Sequence, residues 1–483
     1  MKPYHKIIIL ILLLAGVGLR LALFWYNPPR NAYDDHFKPI ALIVEQGKIP
    51  AKDACWECNQ PFVFYVGSAG VVKLGEKLGL SGQQLLKVCQ FLPCLYGLLT
   101  LPLILLILNK IPLSPFAKIV AFGVVCFLPR HIYMSAMHSN DTISYLFVAL
   151  CILLLFTVVE KKFPWQWAVG LSALLSLTIF TKYTALVVLP ATGIVFLLVS
   201  IWGTPISRKR GVCQLLLVLL VPLAFLGPYM VDNYKKYHNP LPTNMEIKHM
   251  KLGFIPGGGI NYFDFKPWEV IKTPILSPEN VKSFWTGIQG RMWFDMEPRF
   301  IYFTNPDRRW WVGYHEYLVG RPVDFPDPKH LSKTTRFFGS SLIAMGLIPT
   351  IISLLGFLYF PLRIKTMGPP EEVRGRVMKY AALTVLFLVN AAGIIIHSMK
   401  FPYFSHMKAA FMLISLPTFA VFLGAGVMAL EKNRILKLAV AVFFTALGVL
   451  VTLHILHIVR ALSSMSPSDI QLMLYALRNL VKI

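Results

Sequence analysis

IIILILLLAGVGLRLALFWY (residues 7–26) is followed, after four residues, by NAYDDHFKPIALIVEQGKIP (residues 31–50). The first stretch is almost wholly apolar, and at about 1.5 Å per residue it is long enough to cross a ~30 Å hydrocarbon core. It follows a short basic start, Met1–Lys6, and no small-residue cleavage site comes after it. We therefore expect a retained signal anchor rather than a removed signal peptide. The second stretch sets two adjacent carboxylates, Asp34 and Asp35, just past that span and ahead of an amphipathic segment. Paired acids emerging beside the bilayer point to chemistry on something held in the membrane.

The rest of the chain fits that setting. Of 483 residues, 56% are hydrophobic and 14% charged, which excludes a soluble globular protein and places the chain among polytopic membrane proteins. The net charge of +24 is not a nucleic-acid signature, because the Lys and Arg residues sit largely in short loops between apolar spans. Hydropathy predicts about eleven spans, near 7–26, 85–108, 115–136, 142–159, 165–181, 184–203, 212–231, 337–360, 380–397, 408–430 and 438–459. Basic clusters recur in alternate loops: Lys2 and Lys6, Lys110 and Lys118, Lys161 and Lys162, Arg208–Arg210, Arg363–Lys379, and Lys432–Lys437. The loops between them, HSND at 138–141 and the turn at Lys182, lack such clusters. The positive-inside rule then predicts a cytoplasmic N-terminus and an outer C-terminus.

Two long polar segments fall on the outer side, 27–84 and 232–336. The expected organisation is a transmembrane module over 1–231 that includes the first outer segment, a large outer loop over 232–336, C-terminal spans over 337–460, and an amphipathic tail over 461–483 lying along the membrane surface. Of seven cysteines, Cys89, Cys94, Cys126, Cys151 and Cys213 lie in or near spans and read as packing residues. Cys55 and Cys58 form CWEC in the first outer segment, where a local disulfide is expected on an oxidising side. A zinc site would need two more ligands, and none lies at close spacing, so no metal is expected.

Several residues could carry chemistry. The segment after the paired acids reads as an interfacial helix ending at Gly47, and one Asp serves equally well as its N-cap. Both readings can hold: a cap fixes one carboxylate and leaves its neighbour free, with a pKa that a like charge and partial desolvation would raise. Asn59-Gln60-Pro61 leads into an aromatic, then small-residue, helix. Asp141 in MHSNDTISYLF opens the fourth span, where helix capping by Asn140 or Asp141 competes with a functional role. Lys182 sits at the outer end of a helical hairpin, either snorkelling or holding a lipid phosphate. His397, Lys400, His406 and Lys408 cluster at the outer ends of the ninth and tenth spans, against the basic-loop pattern, as an anionic ligand would require. In SFWTGIQGRMWFDMEPRF (283–300), Trp285, Trp293, Phe294 and Phe300 alternate with Asp295, Glu297 and Arg299. That pattern suits a sugar, or a small domain packed against the bilayer, the latter being slightly favoured.

In order and sidedness, these motifs resemble the GT-C class of membrane glycosyltransferases, specifically bacterial relatives of dolichyl-phosphate-mannose protein mannosyltransferases and aminoarabinose transferases. That class has an acidic pair after the first span and a helix ending in Gly and Pro, as in Asp34-Asp35 through Gly47-Lys48-Ile49-Pro50. It has a His-Pro-Pro-Leu-Tyr-Tyr segment, matched by Asn59-Gln60-Pro61-Phe62-Val63-Phe64-Tyr65. An Asp opens its fourth span (Asp141), a Thr-Lys-aromatic stretch its sixth (Thr181-Lys182-Tyr183), and a basic residue precedes an aromatic and Leu-Pro near the C-terminal end (Lys408, Phe411, Leu416-Pro417). The resemblance covers about the first 205 residues well and 380–430 loosely. The second acid is Asp rather than Glu, and the histidine of the His-Pro-Pro segment is replaced.

What the resemblance implies is an all-α GT-C fold and inverting transfer of a hexosyl or pentosyl unit from a polyprenyl-phosphate-linked donor to an acceptor hydroxyl, on the outer side of the inner (plasma) membrane or in the ER lumen. Asp34 would be the base, with Asp35 beside it. Lys182, Asp141, Gln60, His406, Lys408 and Arg299 would hold donor phosphate or substrate. No further cofactor and no metal are implied, and the acceptor (protein, lipid or glycan) is left open. A transporter would instead show repeated or discontinuous helices with ionisable groups at the bilayer midplane, where Arg20 is a rare instance. A membrane scaffold would use the aromatic outer loop for docking.

Overall fold

The computed structural model describes residues 2–31, 35–247, 259–275, 282–296, 300, 331–364, 369–401 and 408–466. Among these it is all helix, with one isolated bridge between Asn261 and Ser283. The tail from 467 onward, Asp34, Arg299 and His406 lie outside the described residues.

Among the described residues nine helices are long and apolar enough to cross a membrane: α1 (Pro3–Tyr26), α4 (Gly82–Asn109), α7 (Asp141–Glu160), α9 (Tyr183–Trp202), α10 (Arg208–Tyr237), α12 (Lys333–Ile364), α13 (Pro370–Lys400), α14 (Ala409–Leu430) and α15 (Arg434–Ser463). A tenth crossing is a pair, α5 (Pro115–Cys126) and α6 (Pro129–Ala136), bent by 44°. The remaining predicted span, 165–181, is α8 (Trp165–Thr178), whose 14 residues cover only about 21 Å. It still carries the chain back along α7, because Glu160 ends α7 while Lys182, past α8, meets Asp141 at its start. Each predicted span thus has a helical counterpart.

The break between α5 and α6 has an identifiable cause. Arg20 of α1 is fully buried there. Its guanidinium donates to the carbonyls of Gly16 (2.7 Å), Cys126 (2.8 Å) and Val125 (3.3 Å), and Nη2 lies 2.7 Å from His131 Nδ1. The carbonyls that α5 leaves without helical partners are satisfied by the one basic residue of α1's interior. Close helix packing elsewhere rests on small residues. On α12 and α14, a Cβ added to Gly356 or Gly426 would fall 1.8 Å from the Phe422 carbonyl oxygen or 2.0 Å from that of Ile352.

The basic loops converge on one end of the bundle. Lys110 and Lys379 share Glu160 (2.5 and 2.7 Å), Lys162 reaches Glu371 at 3.4 Å, Arg210 donates to the Phe163 carbonyl at 2.9 Å, and Lys437 lies over the Phe116 ring. The other end carries two helices outside the spans, α2 (Phe37–Gln46) and α3 (Val63–Lys77). They pack on each other and on the start of α7 through Ile40, Ile43, Phe64, Tyr65, Ala69 and Ile143. Gly47, at φ 67°, closes α2 in the left-handed region that glycine adopts without strain.

The aromatic stretch of the large outer loop belongs to the core. Helix α11 (Phe284–Trp293) buries Phe284 and Trp293, with Phe294 and Phe300 also buried. Trp293 lies directly over Gly346 of α12. These rings pack against helices and are not displayed for a sugar. Cys89, Cys94, Cys126 and Cys151 are buried as expected, whereas Cys213 is exposed on α10.

Candidate active site

The site forms where α7 begins. Asn140 is the N-cap position, but its side chain makes no capping bond; the backbone N–H of Asp141 instead donates to Ser139 Oγ at 3.3 Å. Asp141 is thereby free to face across the bundle. Its Oδ1 accepts from Lys182 Nζ at 2.7 Å, and Lys182 also donates to Asn140 Oδ1 at 3.1 Å. Both charged side chains are about 10% exposed. This is a buried ion pair, so neither the capping reading of Asp141 nor the snorkelling reading of Lys182 describes it. The Lys182 ammonium lies 5.2 Å from the centre of the Phe411 ring, and Lys408 lies 5.8 Å from the same ring. Lys408 adds a second positive field at Asp141. Three residues that the sequence names separately, Asp141, Lys182 and Lys408, therefore form one cluster.

Of the paired acids, Asp35 is described, two residues ahead of α2. Asp35 is exposed, and its Oδ1 accepts the Phe37 N–H at 3.2 Å, so it holds the first turn of α2 as a cap would. The adjoining His36 links it to the cluster. Its Nδ1 lies 2.9 Å from Tyr65 Oη on α3, and its ring meets that of His138 edge-on at 6.3 Å. His138 stacks on Phe37 with centroids 3.9 Å apart, and neither of its ring nitrogens has a hydrogen-bond partner among the described residues. Burial, reinforced by His36, keeps His138 well below the usual imidazole value, so it is neutral.

The loop from α2 to α3 closes the other flank. Cys55 and Cys58 are joined as a disulfide, with Cα atoms 5.1 Å apart. Beside it, Lys52 Nζ donates to the Asn59 carbonyl (3.0 Å) and to the hydroxyls of Tyr183 (3.0 Å) and Tyr229 (2.5 Å). Desolvation brings Lys52 from 10.5 down to about 8. Gln60 follows Asn59, and a backbone bond from Val63 to the Phe180 carbonyl (3.1 Å) ties the start of α3 to the strand of chain leading into Lys182. His36, His138, Lys52 and Tyr229 were not anticipated from the sequence. Adjacency to Asp35, Asp141 and CWEC could have drawn attention to His36, His138 and Lys52, whereas nothing in the sequence singles out Tyr229. Among the described residues no three His, Cys, Asp or Glu side chains are grouped to hold a metal.

The family model described as dolichyl-phosphate-mannose-protein mannosyltransferase matches residues 73–227. No curated protein sequence matches the chain. By structure, the chain is similar to the oligosaccharyltransferase of Archaeoglobus fulgidus in its apo form, at TM-score 0.52 and 11% identity, over 96% of this chain and 56% of that one. The same protein in complex with Zn and sulfate gives TM-score 0.50 and 11% identity, over 93% and 53%. ArnT from Cupriavidus metallidurans bound to undecaprenyl phosphate is also similar, at TM-score 0.35 and 13% identity, over 88% and 78%. The chain spans only about half the length of the oligosaccharyltransferase. The fold is that of the GT-C class, as the motifs implied.

Proposed function

We propose that this GT-C-class membrane protein is an inverting glycosyltransferase that takes a sugar from a polyprenyl-phosphate-linked donor and transfers it to an acceptor hydroxyl at the end of the bundle where α7 begins. The observation that carries the proposal is the buried Asp141–Lys182 pair, with Lys408 beside it, at the start of α7, on which α2 packs. Asp34 is the proposed base, which takes the acceptor proton as oxygen attacks the anomeric carbon from the face opposite the leaving phosphate. Asp35, engaged with the first turn of α2, positions it. The departing phosphate gains negative charge, and Lys408 and Lys182 supply the compensating field.

The lipid-linked donor draws support from the matched family's description, and from the ArnT structure, which contains undecaprenyl phosphate. The acceptor is a hydroxyl compound reaching the site from the outer aqueous side. Basic loops at the opposite end support an outer side in the periplasm, cell exterior or ER lumen. An oxidising compartment of that kind would also keep Cys55 and Cys58 paired.

The test is Asp34→Asn in the purified full chain reconstituted in lipid. Donor binding should stay within about twofold, while turnover falls by 10²-fold or more, in the range general-base catalysis supplies. Near-normal turnover would remove Asp34 as the base. If the unmodified protein transfers no sugar from any polyprenyl-phosphate donor, the proposal as a whole fails.

A further inference from the structure

The far end of the bundle holds a cleft of about 600 Å³, remote from the site just described. Helix α7 measures the separation: Asp141 begins its 20 residues and Glu160, which ends them, lines the cleft, a rise of about 30 Å. Six cations line the cleft, Lys110, Lys118, Lys162, Arg374, Arg376 and Lys379, against three carboxylates. The carboxylates are already engaged. Glu160 serves both Lys110 and Lys379, Glu371 faces Lys162, and Glu372 takes Arg376 at 2.6 Å. Lys118 has only the Asn109 amide oxygen at 3.4 Å, and Arg374 only the Thr204 hydroxyl. Neither has a carboxylate within ion-pair distance among the described residues. The cleft therefore carries an excess of positive charge that the protein itself does not neutralise.

Its lining is also partly apolar. Ile111, Val159 and Met378 contribute buried surface next to these cations. The cleft sits where α4, α5, α7 and α13 all end or begin, the level at which spans leave the hydrocarbon. A soluble anion uses the cations alone, whereas an amphiphile uses both parts. We propose that this cleft binds the phosphodiester headgroup of an anionic phospholipid from the leaflet bordering the basic end, with Arg374 and Lys118 as the headgroup cations.

The experiment uses the full chain in nanodiscs of phosphatidylcholine, titrated with phosphatidylglycerol, with retained lipid counted by native mass spectrometry. The wild type should retain phosphatidylglycerol over phosphatidylcholine, and each of Arg374→Gln and Lys118→Gln should cut that preference about fivefold, the worth of one interfacial cation. Lys432→Gln, a charge removed at the same end but outside the cleft, should leave it unchanged. Both test residues are at least partly exposed, so their substitution spares the core. Equal retention of the two lipids overturns the proposal. So does loss of preference in Lys432→Gln to the same degree, which would show a diffuse field. Displacement of phosphatidylglycerol by millimolar sn-glycerol 3-phosphate would assign the cleft to a soluble phosphate instead and overturn the lipid source.

Discussion

At the scale of single residues, the unusual feature is how thoroughly the Asp141–Lys182 pair is withdrawn from water. Removing one partner of a buried ion pair leaves the other uncompensated, at a cost of about 3–5 kcal/mol. Lys182→Ala should therefore destabilise the protein in addition to weakening donor binding, and the double variant Lys182→Met/Asp141→Leu should recover at least half of the lost thermal stability. No recovery would mean that the pair is not the main interaction of either residue. Lys52 makes a second prediction. It is charged in the unfolded chain up to about 10.5 but in the folded protein only to about 8. Below pH 8 both states hold the proton and the desolvation penalty is carried in full. As pH rises from 8 towards 10.5, the folded state releases its proton while the unfolded state keeps it, so stability from this group rises. Relative to Lys52→Met, the wild type should gain melting temperature across that window; a pH-independent difference would contradict the assignment. The sequence pointed to Asp141, Lys182 and Lys408 because charges at membrane edges are conspicuous. It could not show that the first two pair, because 41 residues separate them, nor that Lys52 rests on tyrosines 131 and 177 residues away.

At the scale of elements, hydropathy located the spans because a helix in lipid must be apolar along its length. The sites where helices touch were less legible, since a glycine reads alike at a contact and on a lipid-facing surface. The α12–α14 crossing shows the difference. Gly356 and Gly426 admit no Cβ without moving a backbone carbonyl, whereas Gly393 on α13 has nothing within 4 Å of that position. Gly426→Ala should cost about 1–3 kcal/mol, the usual range for overpacking, while Gly393→Ala should be near neutral or slightly stabilising through helix propensity. Thermal unfolding of both variants in the same detergent checks the contrast. Equal effects would mean that the crossing is looser than described. The aromatic run of 283–300 was ambiguous for a related reason: Trp and Phe serve sugar faces and cores alike, and only burial against α12 decides between them.

At the scale of the whole molecule, the alternation of basic loops became a shared end, with Lys110, Lys162, Arg210, Lys379 and Lys437 drawn together. On the proposed orientation, the basic end faces the cytoplasm and the candidate site the outer side. With Cys213 replaced by Ser, an impermeant thiol reagent applied to intact cells should modify Lys282→Cys and spare Arg374→Cys; the reverse pattern would invert the orientation and the proposed chemistry with it. Hydropathy gave α8 a full-length span, and the missing turn of helix was invisible because the apolar run continues through Ile179-Phe180 beyond the point where the helix stops. That missing turn has a consequence for the surroundings. Trp165, Trp167 and Leu177 of α8 face outward, and beyond the helix Ile179–Thr181 carry the chain on to Lys182 in turns. There the backbone closes on itself, Phe180 N–H donating to the Leu177 carbonyl at 3.2 Å and Thr181 N–H to that of Thr178 at 3.0 Å, so the short helix leaves no open polar edge towards lipid. If the proposed function holds, a donor phosphate would reach Lys182 past this turn rather than past a rigid helix end, and transfer would vary with the thickness of the surrounding membrane.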